Sequence, residues 1–541
     1  MKVKYSDLPG FQNLFLDYIN EFENVKKFYP KNFRSDEDFL KTFSDLEAYD
    51  RPHQKEIAKI IKEQYLNFSI SKQTKSNIAS LASKETFAIV TGQQVSLFGG
   101  PMYTIYKTIS AIKLSNLLNE KYSDYNFVPI FWMEADDHDF DEVATTNILN
   151  KENNFTSLTY DDGLEEETNR GSAGNIKFNS NIKLTLADLS DALRDNEFKN
   201  DILALLNDSY KEGNTFKESF KNLLFNLFDE YGLIIFDPQD SSVKNLLLPI
   251  FEKEINNFKT HTTTNVLRSA ELEEVYHAQV KVKPINLFYT DESGRHLIEP
   301  TEDGFRFKGK RKKLNEEELL NLLYFDPTAF SPNVLLRPIC QDFLLPTAVY
   351  VGGPSEICYF AQVMPNYSFF DIVSPILFPR SSATILESRQ LTTISKYELS
   401  LSDFTNDESS LIEKVIKQIS EFNFNDLFTK TELDVNSSLD ELKAKLLSVD
   451  ESLSQPIEKS IARIEQTLST LKEKSKNAEE RKHTTVVGQL QKVRNVVNPN
   501  NTLQERELNF VYFANKYGID IIKWIMSELK TNKIEHQILE V

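Results

Sequence analysis

Cysteine is scarce in this chain: Cys340 and Cys358 are the two in 541 residues. Two thiols cannot build a disulfide framework, and their setting has no metal-ligand spacing, so both read as apolar packing in a reducing compartment. Positive charge is short too, with 62 Lys and Arg against 81 Asp and Glu and a formal net charge of −19. Sequence-independent binding to nucleic acid needs a surplus of Lys and Arg, so no such partner is expected. The basic run Lys308-Gly-Lys-Arg-Lys-Lys313 reads as a solvated hairpin end. No apolar run approaches the roughly 20 residues of a membrane helix. Met1 to Glu21 has neither the apolar core nor the small-residue cleavage site of a signal peptide, so a cytoplasmic protein away from membranes is expected. No Gly-x4-Gly-Lys-Ser/Thr string occurs, nor a nucleophile elbow, and neither cysteine has an evident activating partner.

The length exceeds what one core serves, so two or three domains are expected. Residues 1–86 read as a polar helical preface, with Phe15, Tyr18, Ile19 and Phe22 on one face and Ile57, Ile60, Ile61 and Tyr65 on another. Residues 87–384 read as an α/β core, a Rossmann-like parallel sheet with two inserts: helical at about 145–230 and hairpin-forming at about 271–325. Over 385–500 apolar residues step by three and four (Leu439, Leu442, Leu446, Val449, Leu453, then Ile457, Ile461, Ile464, Leu468, Leu471) among charged ones. That spacing predicts a helical, antiparallel coiled coil whose stripe is packing surface. Residues 501–541 return to the core.

The most informative stretch is 87–142. Phe87 to Val90 is a short buried strand; Gly92, Gly99 and Gly100 permit unusual backbone; and Pro101 precedes residues at helical spacing. A helix start of this kind offers N–H groups and a positive dipole end to an anion. A second strand, Val128 to Met133, runs into Glu134, Asp136, Asp137, His138, Asp139, Asp141 and Glu142, at the strand end where open α/β sheets hold ligands. Gly352-Gly353-Pro354 repeats the motif after another apolar strand, with Ser355 and Glu356 in the first helical turn and Tyr359 beyond. The expectation is one pocket with two anion-holding glycine corners and one acidic edge. The residues assigned to it are Gln93, Gln94, Gly99, Gly100, Tyr103, Thr104, Lys107, Trp132, Arg337, Gln341, Asp342, Gly352, Gly353, Ser355, Glu356, Tyr359 and Arg380. Arg337 reads equally as a ligand contact or as a buried cation paired with Asp342. Asp137, His138 and Asp139 are the candidate catalytic groups. His138 reads either as a general base on an amine or as a histidine held structurally by carboxylates. Mg²⁺ could be held through water, but no spacing fixes its ligands, and no resident metal is assigned.

The loop Thr91-Gly-Gln-Gln94, the segment Gly100-Pro-Met-Tyr-Thr-Ile-Tyr-Lys107 and the strand end Phe131-Trp…Asp137-His-Asp-Phe140 resemble the BshC family of bacillithiol biosynthesis. The Leu-Arg-Pro, Gln-Asp, Leu-Pro-Thr and Val-Gly-Gly-Pro elements between Asn333 and Arg380 carry the resemblance further, as does the later Leu-Gln-Glu-Arg string. It implies a ligase that joins the carboxyl of cysteine to the amine of glucosaminyl-malate, as the last step of the pathway. The implied fold is a Rossmann-like core similar to class I aminoacyl-tRNA synthetases, with a coiled coil supporting homodimers. It also implies ATP as activator, with phosphates near Tyr103, Thr104 and Lys107, although the synthetases' histidine signature is absent. A further nucleotide pocket is placed at Gln504, Arg506 and Asn509. Malate's carboxylates would suit arginines and helix starts, and the amines would suit the acidic loop. Two rivals stand beside this reading: synthetase-like nucleotidyl or aminoacyl transfer to another acceptor, and a non-catalytic coiled-coil dimer scaffold.

Overall fold

Five short apolar runs, each too buried to alternate, form one parallel sheet. In a computed structural model that describes residues 2–137, 139–420 and 424–541, its elements are β1 (Thr86–Gln94), α1 (Met102–Lys121), β2 (Asn126–Glu134), β3 (Ile234–Phe236), α2 (Arg337–Leu344), β4 (Thr347–Gly352), α3 (Pro354–Phe370) and β5 (Ile376–Pro379). The strand order is β5-β4-β1-β2-β3, and every neighbouring pair is parallel. Parallel sheets are covered on both faces, which is why Phe87, Ala88, Ile89 and Val90 are all buried and read as an unbroken apolar run. From β1 the sheet first grows one way, through β2 to β3. The chain then returns to lay β4 on the other side of β1. Strand direction of growth reverses between β1 and β4, and at such a point a crevice opens beyond the carboxyl ends.

The α/β, Rossmann-like reading therefore holds. The N-terminal helices are tied to the sheet by buried tyrosines: the Tyr18 hydroxyl donates to the carbonyl of Leu377 in β5 at 2.7 Å, and that of Tyr29 to Ile357 in α3 at 2.9 Å. On the other edge the Ile235 amide of β3 donates to the Tyr65 hydroxyl at 2.6 Å. Between β2 and β3 come a small hairpin (Thr145–Leu149 with Phe155–Thr159) and then helices. Between β3 and β4, strands Leu287–Asp291, Gly294–Thr301, Gly304–Phe307, Lys313–Leu314 and Phe330–Pro332 form an antiparallel sheet.

The chain divides into two compact units: one runs up to Thr384 and takes in Thr502–Leu539, and the other is Ile385–Asn501 with Glu540–Val541. The second unit is helical, with α4 (Phe424–Val449), α5 (Ser454–Lys482) and α6 (Thr484–Val497). Ion pairs Lys443–Glu458 and Lys472–Glu432 link rising numbers on α4 to falling numbers on α5, so these two helices run antiparallel. The apolar stripe is only partly covered within the single chain: Leu442, Val449, Ile464 and Leu471 remain exposed. Among the described residues no helix is long and apolar enough to cross a membrane.

Candidate active site

At the carboxyl ends of β1, β2 and β4 lies a cavity of about 220 Å³. The strand ends supply Gly92, Gln93 and Gln94 from β1, Trp132, Glu134 and Asp137 from β2 and the turn after it, and Gly353, Pro354, Ser355 and Glu356 after β4. Tyr103 and Lys107 reach in from α1, Arg337 and Gln341 from α2, and Tyr350, Arg380 and Arg506 complete the wall. Gly92 has to be glycine for space: a Cβ there would stand 2.9 Å from the Trp132 carbonyl oxygen.

The cavity's charges come in pairs. Lys107 donates to the Gly92 carbonyl and to Gln93 Oε1, each at 2.8 Å, and meets Glu356 Oε2 at 2.5 Å. Burial alone would raise the Glu356 carboxyl. Lys107, the Tyr350 hydroxyl at 2.6 Å and the Gly353 amide at 2.7 Å together hold it below the ordinary carboxylate range, so it is ionised. Arg337 stands 3.0 Å from Glu134 and donates to the Tyr359 hydroxyl at 2.9 Å. Here burial wins: with Asp136 and Asp137 nearby adding to it, the Glu134 carboxyl is pushed above its ordinary value despite Arg337. Arg380 pairs with buried Glu505 at 2.8 Å. Arg506 differs. It is exposed on the rim and, among the described residues, pairs with no carboxylate, although Glu142 and Tyr103 feel its charge.

Eleven of the residues assigned from sequence to the substrate pocket thus meet in one place: Gln93, Gln94, Tyr103, Lys107, Trp132, Arg337, Gln341, Gly353, Ser355, Glu356 and Arg380. The first glycine corner is elsewhere, which corrects the expectation of paired anion-holding corners. Gly99 and Gly100 adopt positive φ of 85° and 71°, and Asn509 covers the turn by donating to the Phe98 and Gly100 carbonyls at 2.9 and 2.7 Å. The Gly99 amide donates to the Tyr210 hydroxyl at 3.1 Å and the Met102 amide to the Leu508 carbonyl at 2.8 Å. The corner is a docking point for the returning chain. Thr104 is buried beside it and away from the cavity wall. At the second corner the Gly353 amide is taken by Glu356, so that helix start is capped by its own side chain.

Four further assignments change. Asp342 is not the partner of Arg337; it accepts from the Tyr367 hydroxyl and from Gln341 at 2.8 Å, and burial pushes its carboxyl up to about 6. Tyr359 and Gly352 act one step back: Tyr359 holds Arg337, and the Gly352 carbonyl accepts the Arg380 amide at 2.9 Å. Asp139 caps the helix Phe140–Ala144 by accepting from the Glu142 amide at 3.1 Å, which explains its exposed position without catalysis. Asp137 does line the cavity and accepts from Gln94 Nε2. His138, the proposed base, lies outside the described residues. Of the supposed nucleotide pocket, Arg506 belongs to this same cavity, Asn509 is the staple just described, and Gln504 is fully buried. Sequence reasoning passed over Glu134, Tyr350 and Glu505. Glu134 was one acid among six in its run, and only the strand register shows it as the last residue of β2.

Two family descriptions cover the chain between them: "Bacillithiol biosynthesis BshC, N-terminal Rossmann-like domain" over residues 1–381, and "Bacillithiol biosynthesis BshC, C-terminal coiled-coil domain" over residues 383–541. The chain belongs to the BshC family. Curated relatives named "Putative cysteine ligase BshC" match over nearly full length. The one from Salinibacter ruber is 33% identical, covering 99% of this chain and 97% of its own. That from Chloroherpeton thalassium is 33% identical over 98% and 96%, and that from Flavobacterium johnsoniae 28% identical over 100% and 99%. BshC membership ties the chain to bacillithiol biosynthesis and favours the ligase reading over transfer to another acceptor and over a scaffold.

Proposed function

We propose that the chain joins the carboxyl of L-cysteine to the amine of glucosaminyl-malate in the cavity at the β1/β4 switch point. The observation that carries this reading is the cavity's mixture of ionised pairs. The carboxylate of Glu356 can meet an ammonium group, while Arg337, Arg380 and rim Arg506 can meet carboxylates. A zwitterionic amino acid and an amino-sugar carrying a dicarboxylate need both.

In the bond-forming step the amine nitrogen attacks the activated cysteine carboxyl carbon, a C–N bond forms and a carboxyl oxygen leaves. The attacking nitrogen must lose a proton. Glu134 is the carboxylate we assign to take it: it sits in the wall, and burial has raised its affinity for a proton toward what a general base needs. Condensing a free carboxylate with an amine requires activation, and we propose ATP, accompanied by Mg²⁺, as co-substrate. The cavity's volume of about 220 Å³ lies below the roughly 300–1,000 Å³ of ligand-sized sites. It has room for an amino acid or a dicarboxylate end. Apolar residues exposed on α4 and α5 support a homodimer made through the coil. Two free buried cysteines and the thiol substrate support a cytoplasmic, reducing setting.

The test is direct. Purified protein incubated with cysteine, ATP and glucosaminyl-malate is expected to yield a product heavier than the acceptor by one cysteine less water. No such mass, with cysteine and acceptor recovered intact, overturns the reading.

A further inference from the structure

Arg380 is held from behind the cavity wall by residues from distant parts of the chain. Its Nη2 donates to Glu505 Oε1 at 2.8 Å, and its Nη1 to Glu505 Oε2 at 3.1 Å and to the Ser381 carbonyl at 3.0 Å. Glu505 Oε2 also accepts from the Ser382 hydroxyl at 2.8 Å and the Ala383 amide at 3.1 Å. Because Ser382 gives its one proton to Glu505, its 2.7 Å contact with His536 Nδ1 is one in which the imidazole donates. His536 Nε2 then accepts from the Thr384 hydroxyl at 2.8 Å. The histidine is neutral, with its proton on Nδ1.

An arginine has five N–H donors. Among the described residues, Glu505 and Ser381 engage three of them, leaving Nε–H and one Nη2–H on the same edge of the guanidinium plane. Nε has no protein partner among the described residues, although Arg380 is only 5% exposed. It lies 3.5 Å from where a Cβ on Gly353 would stand, at the start of α3. A buried donor pair of this geometry matches a carboxylate or phosphate oxyanion, and a buried donor left unmatched is costly.

We propose that Glu505 is a positioning residue: by taking the end of the Arg380 fork it turns the Nε edge toward a substrate oxyanion, and Ser382 with His536 fixes Glu505 in place. This rests on reading the cavity as the ligase site and supplies a group that reading does not contain. The shared chemistry is an oxyanion, and its source could be the cysteine carboxylate, the malyl carboxylates or a phosphate of ATP.

Calorimetric titration of L-cysteine, L-malate and ATP into the full chain separates these sources. In Glu505→Gln, one probe is expected to lose affinity at least tenfold while the others stay within about twofold, and Glu505→Asp is expected to restore part of the loss. The weakened probe names the oxyanion. A residue that only supported the fold would lower the binding-competent fraction and leave every dissociation constant unchanged, and that result in folded variants overturns the proposal. Removing one member of a buried ion pair can unfold a protein, so Ser382→Ala provides a second measurement. It keeps the pair, removes one of the three hydrogen bonds to Glu505 Oε2, and is expected to weaken the same probe about threefold; unchanged binding there also counts against the proposal. If the wild type binds none of the three, the cavity reading itself fails and the proposal falls with it.

Discussion

Among the described residues, Arg506 is the cavity cation that pairs with no carboxylate, so it is the one most able to meet the acidic end of a substrate. Reversing it in Arg506→Glu is expected to raise KM for the dicarboxylate acceptor at least tenfold and leave kcat within a few-fold, because the side chain is exposed on the rim. Steady-state kinetics with varied acceptor reads this directly; an unchanged KM removes Arg506 from recognition. Glu134→Gln should do the opposite, lowering kcat by about 10²–10⁴ with KM little changed, as expected for loss of a general base. Legibility from sequence divides along the same line. Lys107, Arg337 and Glu356 could be found because each follows a strand or opens a helix in a recognisable order. Glu505 could not, since its meaning depends on Arg380, 125 residues away, and nothing in local spacing records that contact. Asp139 misled for the converse reason: an acid in an acidic run reads as chemistry until the Glu142 amide shows it to be a cap.

Two Gly-Gly-Pro turns look alike as elements and do different work. Both follow apolar strands and both precede helices, so sequence spacing assigns them one role. What separates them is the segment that returns to the core, which lays Leu508 and Asn509 across the first turn and leaves the second at the cavity. The side chain of Asn509 donates to two carbonyls and to the Thr146 hydroxyl at 2.9 Å, and its own carbonyl accepts the Val511 amide at 2.9 Å, all in a fully buried setting. Asn509→Ala would strand several of these groups at once, with a cost of about 1–3 kcal/mol for each buried group left unmatched. The expected loss is roughly 3 kcal/mol in urea unfolding, larger than for an ordinary surface change. Because Arg506 sits three residues earlier on the same segment, acceptor binding should weaken in step. A variant as stable as wild type would show that the staple does not hold the first corner. The sheet order was accessible from sequence only in part: buried strands and helix starts were visible, whereas the reversal between β1 and β4 depends on long-range pairing.

At the scale of the whole molecule, the two chain ends close over the same buried network. Lys2 and Val3 pair with Gln537 and His536, so the first strand lies on the one that carries the histidine behind Arg380. Burial lowers His536 from 6.5 to about 4, so the unfolded chain takes up its proton more readily. Its contribution is full above pH 6.5 and is lost as pH falls from 6.5 toward 4, by about 3 kcal/mol at most. Asp342 has the opposite sign. Burial raises it from 3.8 to about 6, so the folded state holds the proton more tightly, and its contribution is full below about pH 3.8 and lost as pH rises toward 6. The two oppose each other between pH 4 and 6, and their joint effect on the wild-type profile should be nearly flat there. Single variants uncover each one. The stability difference between wild type and His536→Asn should shrink as pH falls from 6.5 to 4, and that between wild type and Asp342→Asn should shrink as pH rises from 4 to 6. Urea unfolding across this range measures both differences. Difference curves of the same sign would mean that at least one of these buried groups does not titrate as its surroundings dictate.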